Sequence, residues 1–280
     1  MTMDLFYTGL SQGLILALIA YAVMIPFRLL NFPDLTAEGA YPLGGAICAV
    51  SLLMGLSPLM SMILAALGAG LMCVITGIIH LRLQINTLLA GIILSTMVYS
   101  VNLRILSKPN VSLFEMASIF PENQYLKIMI LLGILLGMVI PLVLFLKTEL
   151  GLKLRAVGLN LNFSKRQGIS VSRYTLFGLF VAGCFTGLAG SLMIQMQQYM
   201  DVDMGAGIVI HALAAMMIGE AVLGKNTLEK QLISPLIGAL LYQQIQGLAL
   251  SFGLAPSDLK FFTGSVVLLV IAMQKRGRHA

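Results

Sequence analysis

Residues 128–146 read IMILLGILLGMVIPLVLFL, nineteen residues without a charge, and residues 147–173 read KTELGLKLRAVGLNLNFSKRQGISVSR. The second stretch carries six of the chain's seventeen Lys and Arg residues. A bilayer core takes roughly 20 apolar residues per crossing helix. The first stretch therefore has the length and the emptiness of charge of a spanning helix. The second has to lie outside the apolar layer, and a further apolar run begins directly after it at Tyr174. The densest charge of the chain thus sits between two spans, which makes the whole an all-α, polytopic bundle.

Composition agrees. Of 280 residues, 59% are hydrophobic and only 10% charged, where soluble domains run near a quarter charged. The sequence pI is about 9.3, but the basic residues fall at the ends of apolar runs, so they report membrane topology and no nucleic-acid partner is expected. Cys48, Cys73 and Cys184 all lie inside apolar runs without CxxC spacing and read as small buried hydrophobes. The first run, Leu5 to Phe27, has no basic residue before Arg28. A cleavable signal has a basic start and a short apolar core, so this run is expected to stay as a span.

About nine spanning or partly spanning helices are expected, near residues 5–27, 39–56, 58–80, 83–102, 127–146, 174–196, 206–224, 232–253 and 260–273. The connection from Gly55 to Pro58 is very short and fits either a hairpin or a partial re-entry. All of 1–280 is expected to form one transmembrane domain. Lys and Arg in short loops mark the cytoplasmic side. With 147–173 inside, Arg28, Arg82, Lys225, Lys230, Lys275, Arg276 and Arg278 are inside too, which gives 13 of 17 basic residues. The N-terminus is then outside and the C-terminus inside. The longest outer segment, about 103–126, is mixed polar and apolar and is expected to lie along the membrane surface.

Several places break the helical pattern. In NFPDLTAEGAYP, residues 31–42, Pro33 disfavours helix at Phe32. Asp34 or Thr36 can cap the next helix, and Glu38 then lies in its first turn, where the helix dipole favours a carboxylate. This is either an ordinary capped turn or the start of a half-helix facing a solute path. In QQYMDVDMGAG, residues 197–207, two acids precede two glycines. The rest of a calcium loop is missing, so a capped, glycine-loosened approach to the next helix is the better reading. His211 and Glu220 follow within that helix, and Gln243, Gln244 and Gln246 within a later one. Polar groups in spans face the bundle interior or a wet path. Tyr21, Tyr41, Tyr99 and Gln195 can also line a path. Asn86 opens NTLLAGIIL, which is similar to IHALAAMMI at 210–218, a hint of the internal repetition common in transporters. Small residues at Gly133 and Gly137, Gly183, Gly187 and Gly190, and 212–219 suit close helix packing.

No GxxxxGK[ST], HExxH or GxSxG occurs, and there is no ladder of intramembrane acids. No catalytic residues, cofactor or metal site are expected. Energy for uphill movement has to come from elsewhere. A self-contained, ion-coupled secondary transporter using Asp34, Glu38, His211 or Glu220 is the alternative.

Within 147–173, residues 148–157 are expected to form a short helix interrupted at Gly158. Asn160 or Asn162 can cap a second short helix, and Gly168 sits where a left-handed C-cap is wanted. Such a two-helix knob fits a groove on a soluble partner. The stretch LGLKLRAVGLNLNFSKRQGI resembles the cytoplasmic coupling segment of bacterial ABC-importer permeases of the branched-chain amino acid and ribose type. The shared positions are Gly151, Leu154, Arg155, Ala156, Val157, Gly158, Asn160, Gly168 and Ile169. NFPDLTAEGAYPLGGA, DVDMGAGIVIHALAAMMIGEAVLG and APSDLKFFTGSVVLLVIA are similar to a narrower subgroup linked to tryptophan or tyrosine uptake. Where the family follows its Asn with Pro and an alanine-rich turn, this chain has Leu161-Asn162-Phe163-Ser164. The resemblance implies a second permease subunit, two cytoplasmic ATPase subunits gripping the coupling segments, an extracytoplasmic solute-binding protein, and alternating access in a bacterial inner membrane for a small organic solute such as an amino acid. Asp34, Thr36, Glu38, Asn86, His211, Gln243 and Gln246 are the candidates for its pathway.

Overall fold

The computed structural model describes residues 2–224 and 227–251, with scattered positions from 253 to 268. The chain is a bundle of α-helices in which α1 (Thr2–Met24) is the central post. Every residue from Leu14 to Ile25 is buried. Regular helix was expected to 27 but ends at Met24 and continues as a π turn over Ile25–Leu29. Pro26 explains this: it lacks an N–H and its ring clashes with the carbonyl four residues back, which a widened turn relieves.

An extended segment leads into α2 (Ala37–Leu53), and a tight connection leads on to α3 (Pro58–Leu83), whose start is capped by the Ser57 hydroxyl. The pair is a helical hairpin. Then come α4 (Thr87–Leu106), α5 (Gln124–Lys147), the short α6 (Glu149–Leu159) and α7 (Leu161–Arg166), α8 (Val171–Gln197), α9 (Ile208–Leu223) and α10 (Leu228–Ser251). α3 lies along α8, α9 along α10, and α1 against both α8 and α10. Six segments are long and apolar enough to cross a membrane: Leu5–Leu29, Pro58–Leu83, Thr87–Leu106, Gln124–Lys147, Val171–Gln197 and Val202–Leu223. α2 is shorter, and α10 carries four glutamines. The expected ninth span, 260–273, lies outside the described residues apart from a few scattered positions.

The segment 103–126 is more ordered than a surface-lying stretch. Its β1 (Asn110–Ser112) pairs antiparallel with β2 (Tyr199–Asp201), Asn110 opposite Asp201 and Ser112 opposite Tyr199. Ile119 and the Ser118 hydroxyl are anchored on Gln195, whose side-chain oxygen accepts the Ile119 N–H at 3.1 Å and whose backbone oxygen accepts the hydroxyl at 3.1 Å. Gln195 is 2% exposed and serves this anchor. After β2 a 3-10 turn, Val202–Gly205, runs inward against α2. Close approach there requires glycine: a Cβ on Gly205 would lie 2.1 Å from the Glu38 carbonyl oxygen.

Candidate functional site: a cytoplasmic-type knob and two polar cavities

The knob at 147–173 is built from its caps. The Thr148 hydroxyl accepts the Gly151 N–H and starts α6. Asn160 stops it with an extended backbone and starts α7, its side-chain oxygen accepting the Phe163 N–H at 3.0 Å. Gly168 then closes the knob with φ +72°. The break therefore falls at Asn160, and Gly158 stays inside α6, contrary to the expectation that Gly158 interrupts it. Gly158 has another task. A Cβ there would lie 1.9 Å from the Leu29 carbonyl oxygen, so α6 is pressed directly against the π turn at the end of α1.

Leu154 and Val157 are buried in the same contact, and Gly151 abuts Phe145 and Leu146. Arg155 donates from Nη2 to the Leu146 carbonyl at 3.4 Å, and its Nε is buried without a partner among the described residues. The Ser164 hydroxyl is likewise buried and unpartnered. Ala156 is half-buried. The outer face of the knob is apolar: Leu150, Leu152, Leu159, Leu161 and Phe163 are all exposed, Leu159 to 87%.

A half-buried ion pair lies at the same end of the bundle. Arg28, in the π turn, donates from Nε to Glu220 of α9 at 2.7 Å, and its Nη2 meets the second carboxylate oxygen. The Glu220 side chain is 3% exposed and that of Arg28 37%. The sequence marked Glu220 as an ionisable group within a span, and its partner Arg28 was missed. The signal was present, since both sit at ends of spans on the side assigned to the cytoplasm.

The polar residues expected along a pathway separate into three groups. The first is a closed cluster. Asp34 accepts the Thr36 N–H at 2.9 Å and also its hydroxyl, and the Thr36 and Thr76 hydroxyls meet at 2.9 Å. All three residues are buried. This arrangement turns the extended segment into α2, and Thr36 makes no side-chain cap of its own. Asn86 caps α4 through the Leu88 N–H at 2.9 Å and is exposed. None of these residues lines a polar cavity described below.

The second group lines a cavity of about 170 Å³ among α1, α2, α8, α9 and α10. It brings together His211, Gln243 and Gln246 with Tyr41, Tyr242 and Gln12. The His211 and Tyr242 rings are 5.9 Å apart, Gln243 donates to the Gln12 side-chain oxygen at 2.5 Å, and Gln246 donates to the Tyr242 hydroxyl at 2.8 Å. Gln12 was missed, though a glutamine inside the first apolar run was the available signal.

The third group lines a cavity of about 340 Å³ between α2, α4 and the inward turn after β2. Glu38 is here with Asp203, Ser95, Thr96, Tyr99 and Asn102. Of these, Ser95, Thr96 and Asn102 escaped the sequence reading. They recur at turn spacing on one face of α4, which was their signal. Among the described residues no group of three or more His, Cys, Asp or Glu side chains is placed to hold a metal ion.

Comparison with known proteins follows the same outline. The family described as branched-chain amino acid transport system / permease component matches residues 5–272. A tyrosine transport system permease protein of Clostridioides difficile is 36% identical over 263 residues, covering 94% of this chain and 89% of that protein. An uncharacterized protein of Rickettsia prowazekii is 32% identical over 281 residues, covering 98% and 99%. Among solved structures, an inward-facing conformation of an ABC transporter described as of metal-chelate type superposes with a TM-score of 0.52 at 17% identity, over 96% of this chain and 83% of that one. At that identity the likeness concerns the fold. With the family match running along nearly the whole chain and six apolar spans beneath it, the protein is a multi-pass membrane protein and belongs to the ABC-transporter permeases of the branched-chain amino acid transport family.

Proposed function

We propose that the chain is the permease subunit of an ATP-driven importer for a small organic solute of the amino-acid class. The observation that carries the reading is the knob. It turns five large apolar side chains outward, leaves a buried Arg155 Nε and a buried Ser164 hydroxyl without partners, and roots itself on α1 and α5. A cluster of exposed apolar groups on a short, capped projection marks a docking surface. The partner is a cytoplasmic ATPase subunit, one per permease. Because α6 presses on the Leu29 carbonyl, a push on the knob reaches the central helix through backbone, with no flexible side chain in between.

A second copy of the chain completes the pathway. α4 exposes Thr96, Tyr99 and Ser100 within its span, and a second subunit against that face turns them inward. A solute-binding protein delivers from outside, the N-terminus being outside and the knob inside the bacterial cytoplasmic membrane. The basic residues concentrated beside the knob support this orientation. The amino-acid class is supported by the tyrosine-transport relative and by the family's own description.

The test is a gentle detergent pull-down of the tagged chain from its native membrane. An ATPase subunit in equal amount is expected, and Leu159→Asp should remove it while leaving the permease folded and inserted. Leu159 suits this purpose because it is the most exposed of the knob's apolar side chains. Gly158→Leu does not suit it, since that change drives a side chain into the Leu29 backbone. Recovery of the chain alone, from membranes where a control ABC importer stays whole, would bring the ion-coupled alternative forward.

A further inference from the structure

The cavity beside α4 holds an unanswered polar group. Asn102 is 0% exposed, and neither its side-chain oxygen nor its nitrogen has a hydrogen-bond partner among the described residues. Buried amides without partners are rare, and each one calls for an explanation such as a bound molecule. Asn102 is part of the cavity lining, where space for a ligand exists.

The rest of the lining says what kind of ligand. Two carboxylates, Glu38 and Asp203, belong to it and no Lys, Arg or His does. The Glu38 carboxylate faces the Gly207 N–H, and Glu38 is half-buried while Asp203 stands exposed at the rim. Ser95, Thr96 and Tyr99 add hydroxyl groups, and Tyr99 an aromatic face. Acids without a balancing cation, acceptors at several angles and an aromatic ring are what a compact cation requires. Metal chelation fits poorly, because two carboxylates on separate elements fall short of the oxygen cage a hard divalent ion takes.

We infer that this cavity binds the primary ammonium group of the transported solute, with Glu38 as the anionic partner, Asp203 as the outer attractor and Asn102 as the hydrogen-bonding group at the floor. The inference rests on the permease reading for the word transported, and on the cavity alone for the binding. Asn102 has a second use there. Its amide nitrogen donates to a carboxylate, so a zwitterionic end can be held from both sides by one residue and its acidic neighbours. The site lies where the inward turn after β2 meets the start of α2, so an occupied cavity adds a tie between those two elements and α4.

The test is the charge preference of a thiol placed in the cavity. Thr96→Cys, in a full-length chain with Cys48, Cys73 and Cys184 replaced, is labelled in native membranes with aminoethyl and with sulfonatoethyl methanethiosulfonate. Each rate is normalised to the reagent's rate with free glutathione, and the same ratio at exposed Ser112→Cys sets the background of the membrane surface. The ammonium reagent should win at position 96 by about tenfold or more over that background. Glu38→Gln should remove most of the preference and Asn102→Leu part of it. Ethylammonium chloride should slow the labelling more than sodium chloride at equal ionic strength. Tyr99→Cys repeats the measurement one helical turn along the same wall should Thr96→Cys fold poorly.

Equal rates for the two reagents, or no labelling of either cysteine, overturn the inference. Equal slowing by sodium and ethylammonium also overturns it, because the cavity then takes any small cation. Labelling needs no ATPase, so the outcome is independent of the pull-down. A lost ATPase with the preference intact removes the importer and keeps the site, and a retained ATPase without the preference does the reverse.

Discussion

The helices α1 and α5 are both apolar spans, and they end up in opposite places. In its most apolar 18-residue stretch α1 is 83% buried, whereas α5, the most apolar span of the chain, is 17% buried. In water the greasier helix would be the inner one. In lipid the tails are as apolar as leucine, so apolarity no longer decides which helix goes inside. What decides is close packing and polar partners. α1 offers small residues at Ala17, Ala20 and Ala22, and a tyrosine hydroxyl, Tyr21, that donates to the Leu232 carbonyl at 2.6 Å. α5 makes no such buried contact: its tyrosine, Tyr125, meets Tyr7 at an exposed end of the helix, and its bare face is mostly Leu, Ile and Met.

The glycines give the largest test of that contrast. On α5, Gly133 and Gly137 have the spacing that suits helix packing, yet a Cβ on either would meet nothing within 4 Å. Where α9 crosses α10, a Cβ on Gly238 would lie 1.8 Å from the Ala215 carbonyl oxygen. Gly238→Leu should therefore cost more than the usual 1–3 kcal/mol of overpacking, ~4 kcal/mol or beyond, because backbone meets backbone. The purified protein should run as aggregate on size exclusion. Gly133→Leu should stay within about 0.5 kcal/mol of the parent in detergent thermal unfolding. If the two behave alike, packing inside this chain is not what separates inner from outer helices.

The ion pair gives the next largest effect. Arg28→Ala leaves the Glu220 carboxylate buried beside α1 without its partner; with the arginine partly in solvent the loss is less than that of a fully buried pair, roughly 2 kcal/mol. Arg28→Met combined with Glu220→Met should recover most of the loss, since the desolvation cost goes with the charges. Thermal unfolding of the three variants reads this directly. A double variant as unstable as Arg28→Ala would mean that the pair serves some other contact.

How far the sequence could be read follows from the same physics. The spans were legible because hydropathy reports what lipid tolerates, and the knob because its caps are local: Thr148, Asn160 and Gly168 act within three or four residues of themselves. The contacts between distant elements were not legible. Nothing near Gly158 announces Leu29, so its glycine was assigned to a helix break that Asn160 makes instead. β1 and β2 are three residues each and lie nearly ninety positions apart, too short to give an alternating pattern. The pathway candidates were polar residues in apolar surroundings. That criterion found Glu38, His211, Gln243 and Gln246, which reach cavities, and equally Asp34 and Thr36, which satisfy each other in a closed cluster. Polarity inside a span reveals that a partner is needed, and only the packing reveals whether that partner is the protein or a ligand.

The smallest expected effect is the most informative about what surrounds α5. One of its faces is packed, with Leu131 and Leu135 each 1% exposed, while Leu144 on the other is 61% exposed. Leu135→Ala opens a cavity and should cost roughly 2–5 kcal/mol. Leu144→Ala removes methyl groups that touch only lipid or detergent, so it should change detergent stability by less than about 0.5 kcal/mol. The decisive comparison repeats Leu144→Ala in the assembled transporter in native membrane, reading the temperature at which subunits dissociate. An unchanged temperature means that α5 faces lipid there too, and that its apolarity is the bilayer's requirement. A clear drop, with the isolated chain unaffected, would mean that another protein covers the bare face in the assembly, and α5 would then belong with α1 among the packed helices.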